Sequence, residues 1–145
     1  MFKHILIPTD GSVMSKKMIQ DSVNFAKSIG AEVTALHVMP AYSVYGNEAD
    51  MVVDTKEKFE SECIEAATEY LDEIQTVADA AGVKCESVHV TSNYPYDAII
   101  RQCEKRQCDL IAMASHGRQG VKGLILGSET QKVLIHSKIP VLVYR

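Results

Sequence analysis

Tryptophan is absent from the 145-residue sequence, and aromatic residues make up only 6% of it. So few aromatic side chains argue against the stacking platforms with which proteins hold single-stranded nucleic acid. Positive charge is also scarce, because 15 Lys and Arg stand against 19 Asp and Glu, which gives a net charge of −4. The composition therefore predicts no nucleic-acid partner.

Long apolar runs are missing as well. None approaches the roughly 20 residues that a membrane-spanning helix needs, and the first residues, MFKHILIP, do not have the apolar stretch of a secretory signal peptide. We therefore expect a cytoplasmic protein without a membrane partner. The length and the 46% of hydrophobic residues are those of one domain with its own core, so residues 1–145 are predicted to form a single domain.

Cysteine is sparse, and its spacing matches no metal or redox motif. The four cysteines, Cys63, Cys85, Cys103 and Cys108, include no C-x-x-C pair and no common zinc pattern. No two of the five histidines stand four residues apart, so a helical metal site of that kind has no support. We expect reduced thiols in or near the core, and no metal ligands.

Short apolar runs that alternate with helical patterns are the main positive signal. Strands are predicted at 5–7, 32–39, 83–91, 109–114 and 140–144, and helices at 13–29, from 59 to 81, from 95 and from 127 to about 137. Residues 40 to about 54 are predicted to be a long loop. The second helix has one apolar stripe, formed by Phe59, Cys63, Ala67, Tyr70, Ile74, Val77 and Ala81. This alternation predicts an α/β fold with a parallel sheet and helices on both faces.

Two segments follow strands in a way that predicts a ligand site. Pro8-Thr9-Asp10-Gly11-Ser12 follows the first strand, and residues 115–128 follow the fourth. Ligands of open α/β sheets bind beyond the carboxyl ends of the strands, where the strand order reverses. Asp10 is a candidate for contact with a ribose or a metal ion. The alternative is that it caps the first helix together with Ser12.

The 115–128 segment has features of a phosphate site. The helix start at Gly127-Ser128 favours negative charge, and Arg118 and Lys122 add positive charge. Glycines let backbone N–H groups approach a phosphate closely, and three lie in this loop: Gly117, Gly120 and Gly123. Spacing alone leaves equally open a loop whose glycines only make turns. Neither the Walker string nor the dinucleotide fingerprint is present.

Two histidines lie near these segments. His116 is inside the glycine-containing loop, where a functional role and a structural one are evenly balanced. His37 lies on the second strand and is interpreted as a packed strand residue.

With these residues the sequence resembles the universal stress protein A superfamily over essentially its whole length. Residues 5–12, 36–38 and 139–143 all resemble the family. The most specific match is Ala114-Ser-His-Gly117 followed, after nine residues, by Gly127-Ser128. The ATP-binding branch of the family has the pattern G-x2-G-x9-G-[S/T]. Ala114 replaces its first glycine, which puts a Cβ near the ribose.

The resemblance implies a five-stranded parallel sheet of order 3-2-1-4-5 with an adenine nucleotide between strands one and four. The nucleotide would be ATP or AMP, with Mg²⁺ accompanying ATP. Asp10 would contact the nucleoside, the backbone of Val38 would read the adenine edge, and Arg118 would lie near the phosphates. The implied site residues are Pro8, Thr9, Asp10, Val38, Met113, Ala114, His116, Gly117, Arg118, Gly127, Ser128, Glu129 and Thr130.

The resemblance also implies a cytoplasmic stress-response protein that forms a homodimer through its last strand, Pro140–Arg145. Two kinds of activity stay open at this point. One is a nucleotide-dependent binding module, and the other is a slow ATPase or phosphotransfer enzyme. Catalysis needs a placed base or metal carboxylates, and Asp10 and Glu129 are the obvious carboxylates near the site. A phospho-acceptor receiver domain is disfavoured, because strand three ends in Thr91-Ser92-Asn93 without a second acidic residue.

Overall fold

A computed structural model of the chain describes residues 1–43, 49–116 and 126–145, with the side chains of 49–54 left out. Strands and helices alternate strictly along it. The elements are β1 His4–Pro8, α1 Val13–Ile29, β2 Glu32–Met39, α2 Ala49–Ala81, β3 Cys85–Thr91, α3 Pro95–Lys105, β4 Leu110–Ala114, α4 Ser128–His136 and β5 Val141–Tyr144. None of the helices in these ranges is both long enough and apolar enough to cross a membrane.

The five strands form one parallel sheet in the order β3-β2-β1-β4-β5, which confirms the predicted fold. β1 lies at its centre, where Leu6 is in register with Thr34 of β2 and Ile111 of β4. The apolar run Ile5-Leu6-Ile7 is fully buried because helices cover both faces of the sheet. The strand order reverses between β1 and β4, so the crevice of this fold opens at their carboxyl ends.

Alternation of side chains along the strands divides the core into two layers. Ile5 and Ile7 pack on one face with residues of α1 and α2, among them Val23 and Ile74. Leu6 packs on the opposite face with Ile99 of α3 and Val133 of α4. The two layers pack the sheet from both sides. In folds of this kind, binding residues are commonly found on the loops at the carboxyl edge of such a sheet.

Several predicted boundaries differ from the observed ones. The predicted loop over 40–54 is wrong in its last part, because α2 begins at Ala49. Residues 49–58 contain neither Gly nor Pro, and an established helix extends at little cost where nothing breaks it. β3 starts at Cys85 rather than 83, since the N–H of Val83 bonds back to Ala78 O at 2.9 Å. Helix ends at glycine are as expected, with Gly30 in the left-handed region at φ 70°.

The cysteines are reduced and belong to the interior. Cys103 and Cys108 are buried, whereas Cys63 and Cys85 are half-buried, and all four thiols are free. Burial raises the pKa of the Cys85 thiol to about 11. The half-buried Cys85 is therefore protonated at neutral pH and is a poor nucleophile.

Candidate functional site

The carboxyl ends of β1 and β4 lie side by side, and α1 and α4 are the next elements in the chain after them. After β1, residues 9–12 run directly into α1. After β4, the N–H of Gly127 donates to Ser115 O at 2.6 Å, which fixes the start of α4 against the end of the strand. Two helix N-termini therefore flank the crevice that the strand order predicts.

Asp10 forms part of the cap of α1. Its Oδ1 accepts a hydrogen bond from Ser12 N at 2.9 Å and another from Ser15 Oγ at 3.0 Å. Ser12 is the N-cap residue, and its hydroxyl accepts from Ser15 N at 3.3 Å. The capping role that the sequence left open is thus present, and it orients the half-buried carboxylate at the edge of the crevice.

The turn after β1 is also held from β2 and α2. His37 Nδ1 lies 2.8 Å from Thr9 O, and the His37 ring meets Tyr70 of α2 edge-on at a centroid distance of 5.1 Å. Gly11 adopts φ 76°, and a Cβ there would overlap the Tyr70 ring. Tyr70 therefore shapes the turn, whereas the sequence assigned it only to the apolar stripe of α2. The one feature of the sequence that sets Tyr70 apart is its phenol hydroxyl, in a stripe of otherwise apolar residues.

The end of β4 is tied to α4 by a second bond. Thr130 Oγ1 donates to Ala114 O at 3.0 Å, and Thr130 itself is buried. Gln131 N donates to Gly127 O at 3.0 Å and closes the first turn of the helix. The N–H groups of Ser128 and Glu129 precede that bond at the positive end of the helix dipole.

His116 follows the same strand end. Its Nδ1 lies 3.0 Å from Ser115 Oγ. Its Nε2 is buried and has no hydrogen-bond partner within the described part of the chain. A buried ring nitrogen without a partner is costly and rare in folded proteins, and a bound ligand is one of the groups that can satisfy it.

The Glu129 side chain is engaged with α3 and with its own helix. Its Oε2 accepts a hydrogen bond from Tyr96 N at 2.9 Å, and its Oε1 lies 3.2 Å from Lys132 Nζ. The carboxylate therefore links α4 to α3. The backbone N–H is the part of Glu129 that lies at the start of α4.

The predicted site residues in the described ranges gather around one edge of the sheet. Pro8, Thr9 and Asp10 lie at the end of β1, and Val38 lies near the end of β2. The residues from β4 onwards are Met113, Ala114, His116, Gly127, Ser128, Glu129 and Thr130. Gly117 and Arg118, together with Lys122, lie outside the described residues. Across residues 1–43, 55–116 and 126–145, no three side chains of His, Cys, Asp or Glu are grouped as metal ligands.

The strand order and the helices on both faces of the sheet define a doubly wound α/β protein. The family model of the universal stress proteins matches residues 1–145. A universal stress protein of Methanocaldococcus jannaschii is 31% identical over 145 residues, which cover all of this chain and 83% of the relative. Another, from Bacillus subtilis, is 30% identical over 149 residues that cover both chains completely. The chain belongs to the universal stress protein family.

Solved structures agree with this assignment. Protein MJ0577, a universal stress protein of Methanocaldococcus jannaschii, superimposes with a TM-score of 0.83 at 29% identity and covers 99% of this chain and 95% of its own. A universal stress protein in complex with cAMP has a TM-score of 0.72 at 24% identity, and the match covers 99% of this chain and 97% of that one. A universal stress protein from Archaeoglobus fulgidus in complex with dAMP has a TM-score of 0.71 at 16% sequence identity, and the match covers 100% of this chain and 98% of that one. At identities below 25%, these last two matches show a shared fold.

Proposed function

We propose that this protein binds an adenine nucleotide, ATP or AMP, in the crevice between the ends of β1 and β4. It would act as a nucleotide-dependent binding module in the stress response, in the cytoplasm. The family assignment supports this role. The neighbours with bound cAMP and dAMP supply precedents for an adenine nucleotide on this fold in other proteins.

The observation that carries the proposal is the junction of β4 and α4. The bond from Gly127 N–H to Ser115 O holds the start of α4 against the residue that precedes His116. When the Ser115 hydroxyl donates to His116 Nδ1, the proton of the ring lies on Nε2, the atom without a partner. Helix N–H groups and a free imidazole N–H are the donors that a phosphate requires.

The remaining site residues take the nucleoside in this proposal. Asp10 accepts hydrogen bonds from the ribose hydroxyls, and the backbone of Val38 reads the adenine edge. Pro8, Thr9, Met113 and Ala114 line the crevice. The N–H groups of Ser128 and Glu129 and the Ser128 hydroxyl hold the phosphates. Gly127 and Thr130 position them through their bonds to the end of β4, and Gly117 and Arg118 belong to the same loop. Magnesium enters with the phosphates of ATP.

Substitution of Ser128 tests the phosphate site. Ser128 is exposed at the first position of α4, so loss of its hydroxyl leaves the core intact. A hydrogen bond to a charged group contributes about 1.5–3 kcal/mol. We therefore expect Ser128→Ala to lower the affinity for ATP and AMP by roughly 10–150-fold and to leave the affinity for adenosine unchanged. Calorimetric titration measures all three.

Ser28→Ala is the matched control, because Ser28 is an exposed serine at the far end of α1. It should change no affinity. Equal ATP affinities in the wild type and in folded Ser128→Ala would show that the phosphate assignment is wrong. Chromatography of the titrated ATP tests the enzyme alternative: the nucleotide should stay intact for hours, whereas turnover at ~1–10³ s⁻¹ would be that of an enzyme.

A homodimer through Pro140–Arg145 completes the proposal. β5 is the last strand in the sheet order, and its sequence Val141-Leu-Val-Tyr144 is apolar. An apolar edge strand pairs readily with a second copy of itself.

A further inference from the structure

Cys103 and Cys108 are two buried thiols that the end of α3 brings together at the amino-terminal end of β4, opposite the crevice. The N–H of Cys108 donates to Cys103 O at 2.9 Å, and the N–H of Gln107 donates to Glu104 O at 3.1 Å. Gln107 is in the left-handed region at φ 56°. These features define a Schellman motif, in which the side chains of the two residues joined by the longer bond meet.

The Cys103 thiol lies against Cys108. It donates to Cys108 O at 3.6 Å, and each thiol shifts the pKa of the other. Cys103 has no solvent-exposed surface and Cys108 is 5% exposed, and both are free thiols. A disulfide needs Cα atoms about 4.4–6.8 Å apart, a separation that is compatible with a direct backbone bond between the same two residues.

The surroundings distinguish the two thiols. A hydrogen bond from Cys103, another from Thr34 and the charge of Arg106 lower the pKa of Cys108, against burial and the charge of Asp109. The pKa of Cys103 is raised, first by its hydrogen bond with Cys108 and then by burial. Cys108 is therefore the thiol that ionises first and acts as the nucleophile.

Arg106 is placed to stabilise that thiolate. Its Nη1 forms an ion pair with Glu86 Oε1 at 2.6 Å, which fixes the guanidinium. Its Nε is buried and has no hydrogen-bond partner in the part of the chain that the structure describes. The charge of this fixed guanidinium, two residues before Cys108 in the chain, favours the charged sulfur.

A second polar contact reaches Cys108 from β2. Thr34 is completely buried, and its hydroxyl lies 2.7 Å from His4 Nε2. Thr34 is also one of the groups that lower the pKa of Cys108. When His4 donates to the Thr34 hydroxyl, the threonine proton is free to face the thiolate.

We propose that Cys103 and Cys108 are a modification site at which hydrogen peroxide or an organic hydroperoxide forms an intrachain disulfide. The Cys108 thiol loses its proton, and the thiolate attacks a peroxide oxygen as the O–O bond breaks. This leaves a sulfenic acid on Cys108, and the departing hydroxide or alkoxide takes up the proton to leave as water or an alcohol. The Cys103 sulfur then attacks the Cys108 sulfur, the S–O bond breaks and water leaves with the Cys103 proton. Two thiols lose two electrons in total, and the peroxide gains them.

Access to the pair needs only a local opening. Glu104, Lys105 and Gln107, which flank it in the chain, are exposed. The end of a helix opens more readily than the centre of a sheet. Hydrogen peroxide is little larger than water, so fraying of this one turn admits it.

Peroxide treatment of the folded protein, followed by mass spectrometry, tests the site. The chain should lose the mass of two hydrogen atoms, and the tryptic peptides that carry Cys103 and Cys108 should be recovered linked. The Cys63→Ser/Cys85→Ser variant should react at the same rate. In Cys103→Ala, the Cys108 sulfenic acid should be trapped by dimedone, whereas Cys108→Ala should leave Cys103 unreacted.

Arg106→Gln separates a role in chemistry from a role in packing. It should slow the reaction at neutral pH by roughly ten-fold, the effect of one pKa unit on the thiolate fraction, and move the midpoint of the rate–pH curve upwards. Arg106→Lys should restore most of the rate. Circular dichroism checks that each variant is folded. Loss of thiols at Cys63 or Cys85 without a Cys103–Cys108 link would overturn the proposal, as would equally fast linkage in denaturant.

Discussion

The Glu129 carboxylate accepts a hydrogen bond from the backbone N–H of Tyr96 at 2.9 Å. Tyr96 follows Pro95, the first residue of α3, and the N-cap residue Tyr94 makes no side-chain cap bond. A residue of α4 therefore supplies the cap that α3 lacks. The bond couples the helix that starts at the crevice to the neighbouring helix on the same face of the sheet.

We expect Glu129→Ala to lower the free energy of unfolding by about 1 kcal/mol, the usual cost of a lost helix cap. Glu129→Gln should cost less, because an amide oxygen also accepts the bond from Tyr96. Urea denaturation measures both. Lys132→Ala removes the partly exposed ion pair with Glu129 and the contact of Lys132 Nζ with the Tyr96 ring, 5.6 Å from its centroid, and should stay within about 0.5 kcal/mol. Equal losses in Glu129→Ala and Lys132→Ala would show that the cap contributes nothing.

Gly11 and Gly30 allow backbone strain to be separated from steric overlap. Both have positive φ, at 76° and 70°, but a Cβ on Gly11 would meet the Tyr70 ring whereas none of the described atoms lies within 4 Å of one on Gly30. Gly30→Ala should therefore cost only the left-handed strain, about 1–2 kcal/mol. Gly11→Ala should cost more, as measured by urea denaturation.

A second substitution identifies the source of the extra cost. In the Tyr70→Ala background the ring is gone, and Gly11→Ala should then cost no more than Gly30→Ala does. An excess cost that persists without the ring would mean that Tyr70 does not shape this turn. Nucleotide affinity per folded molecule should fall in Gly11→Ala, because the turn presents Asp10 to the crevice.

The sequence predicted the order of strands and helices because the signals for them are local. Ile5-Leu6-Ile7 is apolar on both faces of a strand, and Gly30 ends a helical pattern. The contacts that shape the site are not local. Glu129 and Tyr96 are 33 residues apart, and His37 meets Tyr70 across two elements. No periodicity in the chain records such pairs, so Tyr70 and the Glu129 cap emerge only from the packed structure.

The ion pair between Glu32 and Lys84 predicts how stability depends on pH. Lys84 Nζ lies 2.7 Å from Glu32 Oε2, and its hydrogen bond lowers the pKa of the Glu32 carboxyl. A carboxyl whose pKa is lowered by folding stabilises the fold above its unfolded pKa, about 4.3. This contribution disappears as the pH falls through the lower folded value.

Glu32→Gln should therefore be less stable than the wild type near neutral pH, and the difference should shrink as the pH falls below about 4. Chemical denaturation at several pH values and low salt measures it, and added salt should reduce it because both side chains are partly exposed. Glu57→Gln, an exposed position on α2, serves as the control. A difference that is constant from neutral to acidic pH would mean that the pair is not responsible.

The two edges of the sheet differ in character. On β5, all four side chains from Val141 to Tyr144 are half-buried and apolar in their bulk, and the nearby α4 exposes Ile135 by 73%. On β3, the other edge, Glu86 and Ser87 are exposed and polar. Charged and polar side chains protect an edge strand from pairing, and apolar ones do not. Of the two edges, β5 is therefore the one suited to a second copy of the chain.

We expect the protein to be a dimer at micromolar concentration. Two-fold pairing of β5 closes the assembly and covers the apolar β5 edge of each copy. Val141→Lys should raise the dimer dissociation constant by roughly ten-fold or more, because a lysine on the edge must be desolvated on pairing. Multi-angle light scattering over a concentration series measures this. Ser87→Lys places the same charge on the β3 edge and should leave the dimer intact. A wild-type monomer at these concentrations, or a dimer lost in Ser87→Lys but not in Val141→Lys, would exclude pairing through β5.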